Sequence, residues 1–128
     1  MPERKPSGPI TSYRDLIVWQ EAMTLAEGVY RLTSAFPREE LYGAVSQIRR
    51  TAASVPVNIA EGYGRDSPGA YVQQLRVANG SLKELETHLI LSARVGLTST
   101  GSITAMLDTA EAIGKMLRSL IRSIEKRQ

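Results

Sequence analysis

The stretch Tyr71-Val72-Gln73-Gln74-Leu75-Arg76-Val77-Ala78-Asn79-Gly80-Ser81-Leu82-Lys83-Glu84-Leu85-Glu86-Thr87-His88-Leu89 decides the fold. Its apolar residues Tyr71, Leu75, Ala78, Leu82, Leu85 and Leu89 fall alternately four and three apart, the spacing that keeps one face of a helix against a neighbouring helix. Working outward, Gly64 breaks the chain on one side, Asp66 or Ser67 can cap the helix with Pro68 in its first turn, and Gly96 ends it. Beyond Gly96, Ser99, Thr100 or Ser102 can cap a last helix with the seam Ile103, Met106, Ala110, Ile113, Leu117, Leu120 and Ile124. Upstream, Leu41, Val45, Ile48, Ala52, Val55 and Ile59 mark a helix from about Arg38 to Tyr63. Pro56 removes one backbone hydrogen bond inside it, yet the seam keeps its phase on both sides, so a kink is expected rather than an end. From Asp15 onward, Leu16, Trp19, Met23, Ala26 and Tyr30, widened by Ala22, Leu25, Val29 and Leu32, form a first helix that stops before Pro37. Four long helices joined by a few residues each must run antiparallel to their predecessors. The sequence therefore predicts an all-α, antiparallel up-down-up-down four-helix bundle over residues 13–128. Residues 1–12, with Pro2, Pro6 and Pro9 and no periodic pattern, are expected to form a flexible tail.

A chain of 128 residues, 42% apolar, is long enough for one core without staples. With no cysteine it has neither disulfides nor thiolate zinc ligands, which excludes a disulfide scaffold, a thiol enzyme and a zinc finger. No run of 18 apolar residues and no apolar stretch behind the charged N-terminus are present, so a cytoplasmic protein with no membrane association is expected. The net charge is +3, and twelve of the sixteen cations are arginine, the side chain suited to bidentate contact with carboxylate or phosphate.

Gln47, Arg50, Ser54, Asn58, Glu61 and Arg65 recur three and four apart, a single polar edge beside the apolar face of the second helix. Such an edge is either a solvated face, an interhelical hydrogen-bond ladder or a binding surface; Arg49 points about 100° away from Arg50. Glu84 and His88 lie four apart on the third helix. A di-metal bundle needs four carboxylates and two Glu-x-x-His pairs, so a lone histidine at this spacing gives no metal site, and His88 is expected to be a partly exposed helix residue. With one histidine and no cysteine, general bases are scarce, and only a buried Glu61 or Glu84 would revive an enzyme. No catalytic residue, metal, cofactor or small-molecule substrate is expected. Trp19, Tyr30, Tyr42, Tyr63 and Tyr71 could stack bases if they lay beside arginines, as Tyr63 does near Arg65, but Trp19, Tyr30 and Tyr71 sit in apolar stripes and are expected in the core or at a subunit interface. Lys115, Arg118, Arg122 and Lys126, three or four apart, form a basic face on the last helix, solvated or in contact with nucleic acid or a partner.

Taken together, Tyr13-Arg14-Asp15-Leu16-Ile17-Val18-Trp19-Gln20, Gln47-Ile48-Arg49-Arg50-Thr51-Ala52, Ser54-Val55-Pro56-Val57-Asn58-Ile59-Ala60-Glu61-Gly62 with Gly64-Arg65, and Gly80-Ser81-Leu82-Lys83-Glu84-Leu85-Glu86 resemble a bacterial four-helix-bundle family. That family is named for reading frames in intervening sequences of 23S ribosomal RNA genes. Asn58-Ile59-Ala60-Glu61-Gly62 is the most specific mark. The resemblance implies a homopentamer. The family is in turn similar to the accessory variability protein of diversity-generating retroelements, a basic pentamer associated with reverse transcriptase and nucleic acid. It singles out Arg49, Arg50, Asn58, Glu61, Arg65, Ser81 and Glu84, alongside Trp19, Pro56 and Gly62, without assigning their roles. Asn58 is expected to bond backbone groups freed by Pro56, and Glu61 to pair with Arg50 or Arg65. The modest charge departs from the accessory protein, although five copies would carry a formal +15. The leading expectation is a non-enzymatic oligomeric accessory or scaffold for RNA or an RNA-associated protein, with Arg49, Arg50, Arg65, Lys115, Arg118, Arg122 and Lys126 as contacts. The alternative is a purely protein-protein interaction module.

Overall fold

The computed structural model describes residues 9–127. Four helices account for most of them: α1 Ile17–Thr33, α2 Ser46–Tyr63, α3 Pro68–Arg94 and α4 Thr100–Lys126. Each packs on the next, and α1 closes the ring against α4. Thr51 of α2 meets Glu84 of α3, Asn58 meets Gln74, and Tyr63 meets Tyr71. Numbers that rise along α2 fall along α3, so the two are antiparallel. The all-α bundle is the architecture expected from the seams, and no strand occurs among the described residues.

The seams become the core. Leu75, Ala78, Leu82, Leu85 and Leu89 of α3 are fully buried, as are Ile113 and Leu117 of α4 and Ile48 and Ile59 of α2. Burying a leucine or isoleucine side chain contributes about 1.5–3 kcal/mol each. Ser67 caps α3, its side chain accepting from the Ala70 amide, and Ser99 caps α4 by accepting from the Ser102 amide. Gly96 turns the chain out of α3 at φ 84°, where a side chain would be strained.

Three expectations shift. The first helix starts later than Asp15, because Ser12 and Asp15 form a capping box around a 3-10 turn, Tyr13–Asp15, and Leu16 is extended before Ile17. Thr11 and Ser12, assigned above to the tail, both donate to Asp15 Oδ2; residues 1–8 of that tail lie outside the described residues. The second helix does not begin regularly at Arg38: a 3-10 turn, Arg38–Glu40, leads into a π-helical turn, Leu41–Val45, before α2. The core face of α1 is Val18, Ala22, Leu25, Ala26, Val29 and Thr33, whereas Met23 and Tyr30 are 36% and 45% exposed and Trp19 is half-buried. Two apolar faces run along α1, and the seam expected from Trp19, Met23 and Tyr30 is the outer one.

α2 continues as one helix through Pro56. No helix among the described residues is long and apolar enough to cross a membrane.

Candidate functional site

The polar edge of α2 is divided between two uses. Towards α3 it is a ladder. Gln74 Nε2 donates one proton to Asn58 Oδ1 at 2.9 Å and the other to Glu61 Oε1 at 3.2 Å, so a single amide ties two turns of α2 to α3. Asn58 Nδ2 in turn donates to the Ser54 carbonyl at 2.7 Å. The carbonyl that Pro56 leaves without its i+4 donor belongs to Ala52, so Asn58 does not serve the group it was expected to serve. Glu61 pairs with Gln74 rather than with Arg50 or Arg65. Beside this contact Gly62 is buried, and a Cβ there would stand 2.9 Å from Gln74 Cβ and 3.1 Å from Tyr71 Cδ1. Gly62 therefore lets α3 approach closely enough for Gln74 to reach both acceptors. Further along, the Thr51 hydroxyl shares its proton between the Gln47 carbonyl and Glu84 Oε2, at 3.0 and 3.1 Å, and His88 Nε2 lies 3.7 Å from the same carboxylate oxygen. Ser81 is half-buried on α3 between these two rungs.

The cations do not form one cluster. Arg49 is an internal clamp: its Nε donates to Thr33 Oγ1 at 2.9 Å and its Nη2 to the Tyr30 carbonyl and Ser34 Oγ. Its guanidinium also lies 4.7 Å from the Tyr30 ring centroid, so it ties α2 to the end of α1 and covers an exposed ring at once. Arg50, Arg65, Arg118, Arg122 and Lys126 are exposed and form no ion pair among the described residues, while exposed Lys115 reaches Glu111 at 3.7 Å. Arg50 and Arg65 are fifteen residues apart, about 22 Å along a helix. Arg65 shares its end of the bundle with the C-terminus of α4, and Arg50 belongs to the other half.

An apolar groove of about 660 Å³ lies between α1 and α2, lined chiefly by Trp19, Met23, Tyr30, Ala53, Pro56 and Val57. Tyr13 stacks edge-on against Trp19 at its mouth, with centroids 5.3 Å apart. Pro56 thus takes part in a surface as well as in a helix. At the end shared by α2 and α3, Tyr63 and Tyr71 meet edge to face at 6.2 Å, and burial pushes the Tyr71 hydroxyl pKa above the usual 10.0. Among the described residues no three histidine, cysteine or carboxylate side chains gather as metal ligands would.

Gln74 and Thr51, which complete the ladder, were not among the residues expected to matter. Their signal was present only as polar residues facing Asn58 and Glu84 once the antiparallel register was known. Tyr42, one of the five aromatic residues that could stack a base beside an arginine, stands on the π turn and is 93% exposed.

No curated protein matches this chain. Among solved structures it is similar to a protein of unknown function from the S23 ribosomal protein family of Bacteroides thetaiotaomicron. Identity is 21%, over 82% of this chain and 98% of that one, with a TM-score of 0.73, a likeness of fold. The profile of the 23S rRNA-intervening sequence protein family matches residues 14–119, which take in α1, the α2–α3 ladder and most of α4. The chain belongs to the 23S rRNA-intervening sequence protein family.

Proposed function

We propose that this protein is a non-catalytic helical accessory that assembles with copies of itself and binds RNA through its exposed arginines. The observation carrying the RNA reading is that Arg50, Arg65, Arg118, Arg122 and Lys126 stand exposed without an ion pair among the described residues. Cations not neutralised by neighbours are the ones that displace counterions from a phosphate backbone. Self-assembly is supported by the groove between α1 and α2, where apolar side chains including Met23, Tyr30 and Val57 are left to solvent. A ring of five, as the family resemblance implies, repeats every arginine five times around one particle and concentrates the field that one chain carries weakly.

The test is a titration of the purified protein with a fluorescent fragment of 23S ribosomal RNA at 50 and 200 mM salt, alongside its mass by light scattering. Three phosphate contacts would lower the affinity about 40-fold across that range. No binding at 50 mM salt overturns the RNA reading. The second reading, a purely protein-protein module, is favoured by the same groove, and Arg50→Ala separates the two. A nucleic-acid role leaves the mass unchanged and weakens RNA binding, whereas dissociation of the assembly with unchanged RNA binding would assign Arg50 to a subunit interface.

A further inference from the structure

The π-helical turn Leu41–Val45 is the least regular backbone in the bundle, and it directs a tyrosine into solvent. π turns cost hydrogen-bond geometry and recur at functional positions. Tyr42 is 93% exposed, far more than Tyr30 at 45%, so packing in the bundle does not account for it. Beside it lies a shallow pocket of about 460 Å³ lined by Tyr30, Leu41, Tyr42, Ser46, Arg49 and Arg50. A second hollow of about 300 Å³ shares Leu41 and Arg49 and adds Arg38. Three guanidinium groups and several hydroxyls line the two hollows, and no carboxylate does.

A ring standing in solvent and flanked by guanidinium groups matches two parts of one ligand. Aromatic faces stack on nucleobases, and arginine forks bind phosphate in a bidentate way. We infer that the π turn carries a stacking site for one unpaired nucleotide of single-stranded RNA, with the base on Tyr42 and the flanking phosphates on Arg50 and Arg38. Arg49, fixed by Thr33 and Ser34 and held against Tyr30, supplies a cation whose position is set before binding. Single strands are selected over duplex because a paired base inside a helix cannot present its face to a side chain. The side chains lining the two hollows offer no acceptors other than hydroxyls, the Glu40 carboxylate lying against Gly43 outside them, so the choice of base is left to stacking strength and little sequence preference is expected. This inference rests on the RNA reading above and specifies where an unpaired base meets the protein.

The experiment measures anisotropy of a fluorescein-labelled single-stranded 12-mer of uridine, and of a labelled RNA duplex of the same length, with the full chain at low salt. Tyr42 is exposed, so Tyr42→Ala is expected to fold as the parent does, which circular dichroism checks. Tyr42→Ala should weaken single-strand binding between about 5-fold and about 150-fold and change duplex binding less than about twofold, while Tyr42→Phe restores the affinity. Arg50→Ala should instead lower the salt slope by about 0.7 for the single strand, and Tyr42→Ala should leave that slope intact. If the parent protein binds RNA and Tyr42→Ala binds the single strand equally well, the stacking site is refuted while RNA binding stands. Equal losses for duplex and single strand would also refute it, since a stacking ring acts only on the unpaired base. If the parent binds neither probe, the RNA reading itself falls and takes the site with it.

Discussion

Gly62→Ala tests whether the most specific motif of the chain exists to bring two helices together. Elsewhere in a helix this change is favourable, by about 1 kcal/mol at most and by less in a last turn such as this one. Here the new methyl would stand 2.9 Å from Gln74 Cβ, 3.1 Å from Tyr71 Cδ1 and 3.3 Å from the Tyr71 carbonyl oxygen. The first and last of these atoms are on or next to the backbone of α3, so a rotamer change cannot move them aside. Ordinary contact would require α2 and α3 to part by about half an ångström. Gln74 Nε2 already reaches Glu61 at 3.2 Å, and that opening takes the bond out of range. Overpacking costs about 1–3 kcal/mol and the lost hydrogen bond about 1 kcal/mol. After the helix-propensity gain the net loss is about 1–3 kcal/mol, a fall in Tm of about 4–11 °C for a chain of this size. Gly80→Ala is the internal control: Gly80 is also helical, is exposed, and has nothing within 4 Å of an added Cβ. It should stabilise by about 0.5–1 kcal/mol. Thermal and urea melts by circular dichroism at one protein concentration give both values, the fixed concentration removing any contribution from assembly. If Gly62→Ala is as stable as Gly80→Ala, the close approach is irrelevant and this explanation of the motif is wrong.

Arg49→Met should lower stability by about 1–3 kcal/mol in urea melts, since it leaves Thr33, Ser34 and the Tyr30 carbonyl without their shared donor; Arg50→Met next to it should stay within about 0.5 kcal/mol. An equal effect at the two positions would deny Arg49 its clamping role. Leu85→Ala, at the centre of the α3 seam and fully buried, should cost about 2–5 kcal/mol, read as the shift in urea midpoint. Tyr71 has a folded pKa raised by burial, so its proton is held more tightly in the folded state. Its contribution is therefore complete below about pH 10 and is lost as pH rises through the raised value; Tyr71→Phe should flatten the alkaline end of the stability curve, and an unchanged profile would contradict the assignment.

What could be read from the sequence follows from which physical rule acts alone. The α3 seam from Leu75 to Leu89 and the α4 residues Ile113 and Leu117 were legible because burial on one side and solvent on the other impose a helical period with no competitor. α1 carries apolar side chains on two faces, so periodicity found a stripe but did not tell the core face, Ala22, Leu25 and Val29, from the groove face, Trp19, Met23 and Tyr30. The π turn at Leu41–Val45 left no trace because residue propensities barely separate it from an α-helix. Spacing placed Asn58 and Glu61 on one edge of α2, and it did not show their partner. Gln74 is neutral and on another helix, and only register brings its two amide protons to both acceptors. Arg49 and Arg50 are adjacent in sequence and alike in charge, and the 100° turn between them gives one to the end of α1 and the other to solvent.

That turn separates structure from function around the whole of α2. Ile48, Ala52, Val55 and Ile59 face the core; Thr51, Asn58, Glu61 and Gly62 face α3; Ala53, Pro56, Val57 and Ala60 line the groove towards α1. The motif Asn58-Ile59-Ala60-Glu61-Gly62 thus contributes three of its five residues to the α2–α3 ladder, one to the core and one to the groove. None of the five is an exposed cation or ring. A sequence match built on this motif consequently reports a shared scaffold and does not report a shared ligand. The surfaces proposed to meet RNA, the Tyr42 and Arg50 corner and the basic face of α4, lie outside the motif. Substitutions there should leave the bundle intact, whereas substitutions at Asn58 or Gly62 should act on every property at once by loosening the helices.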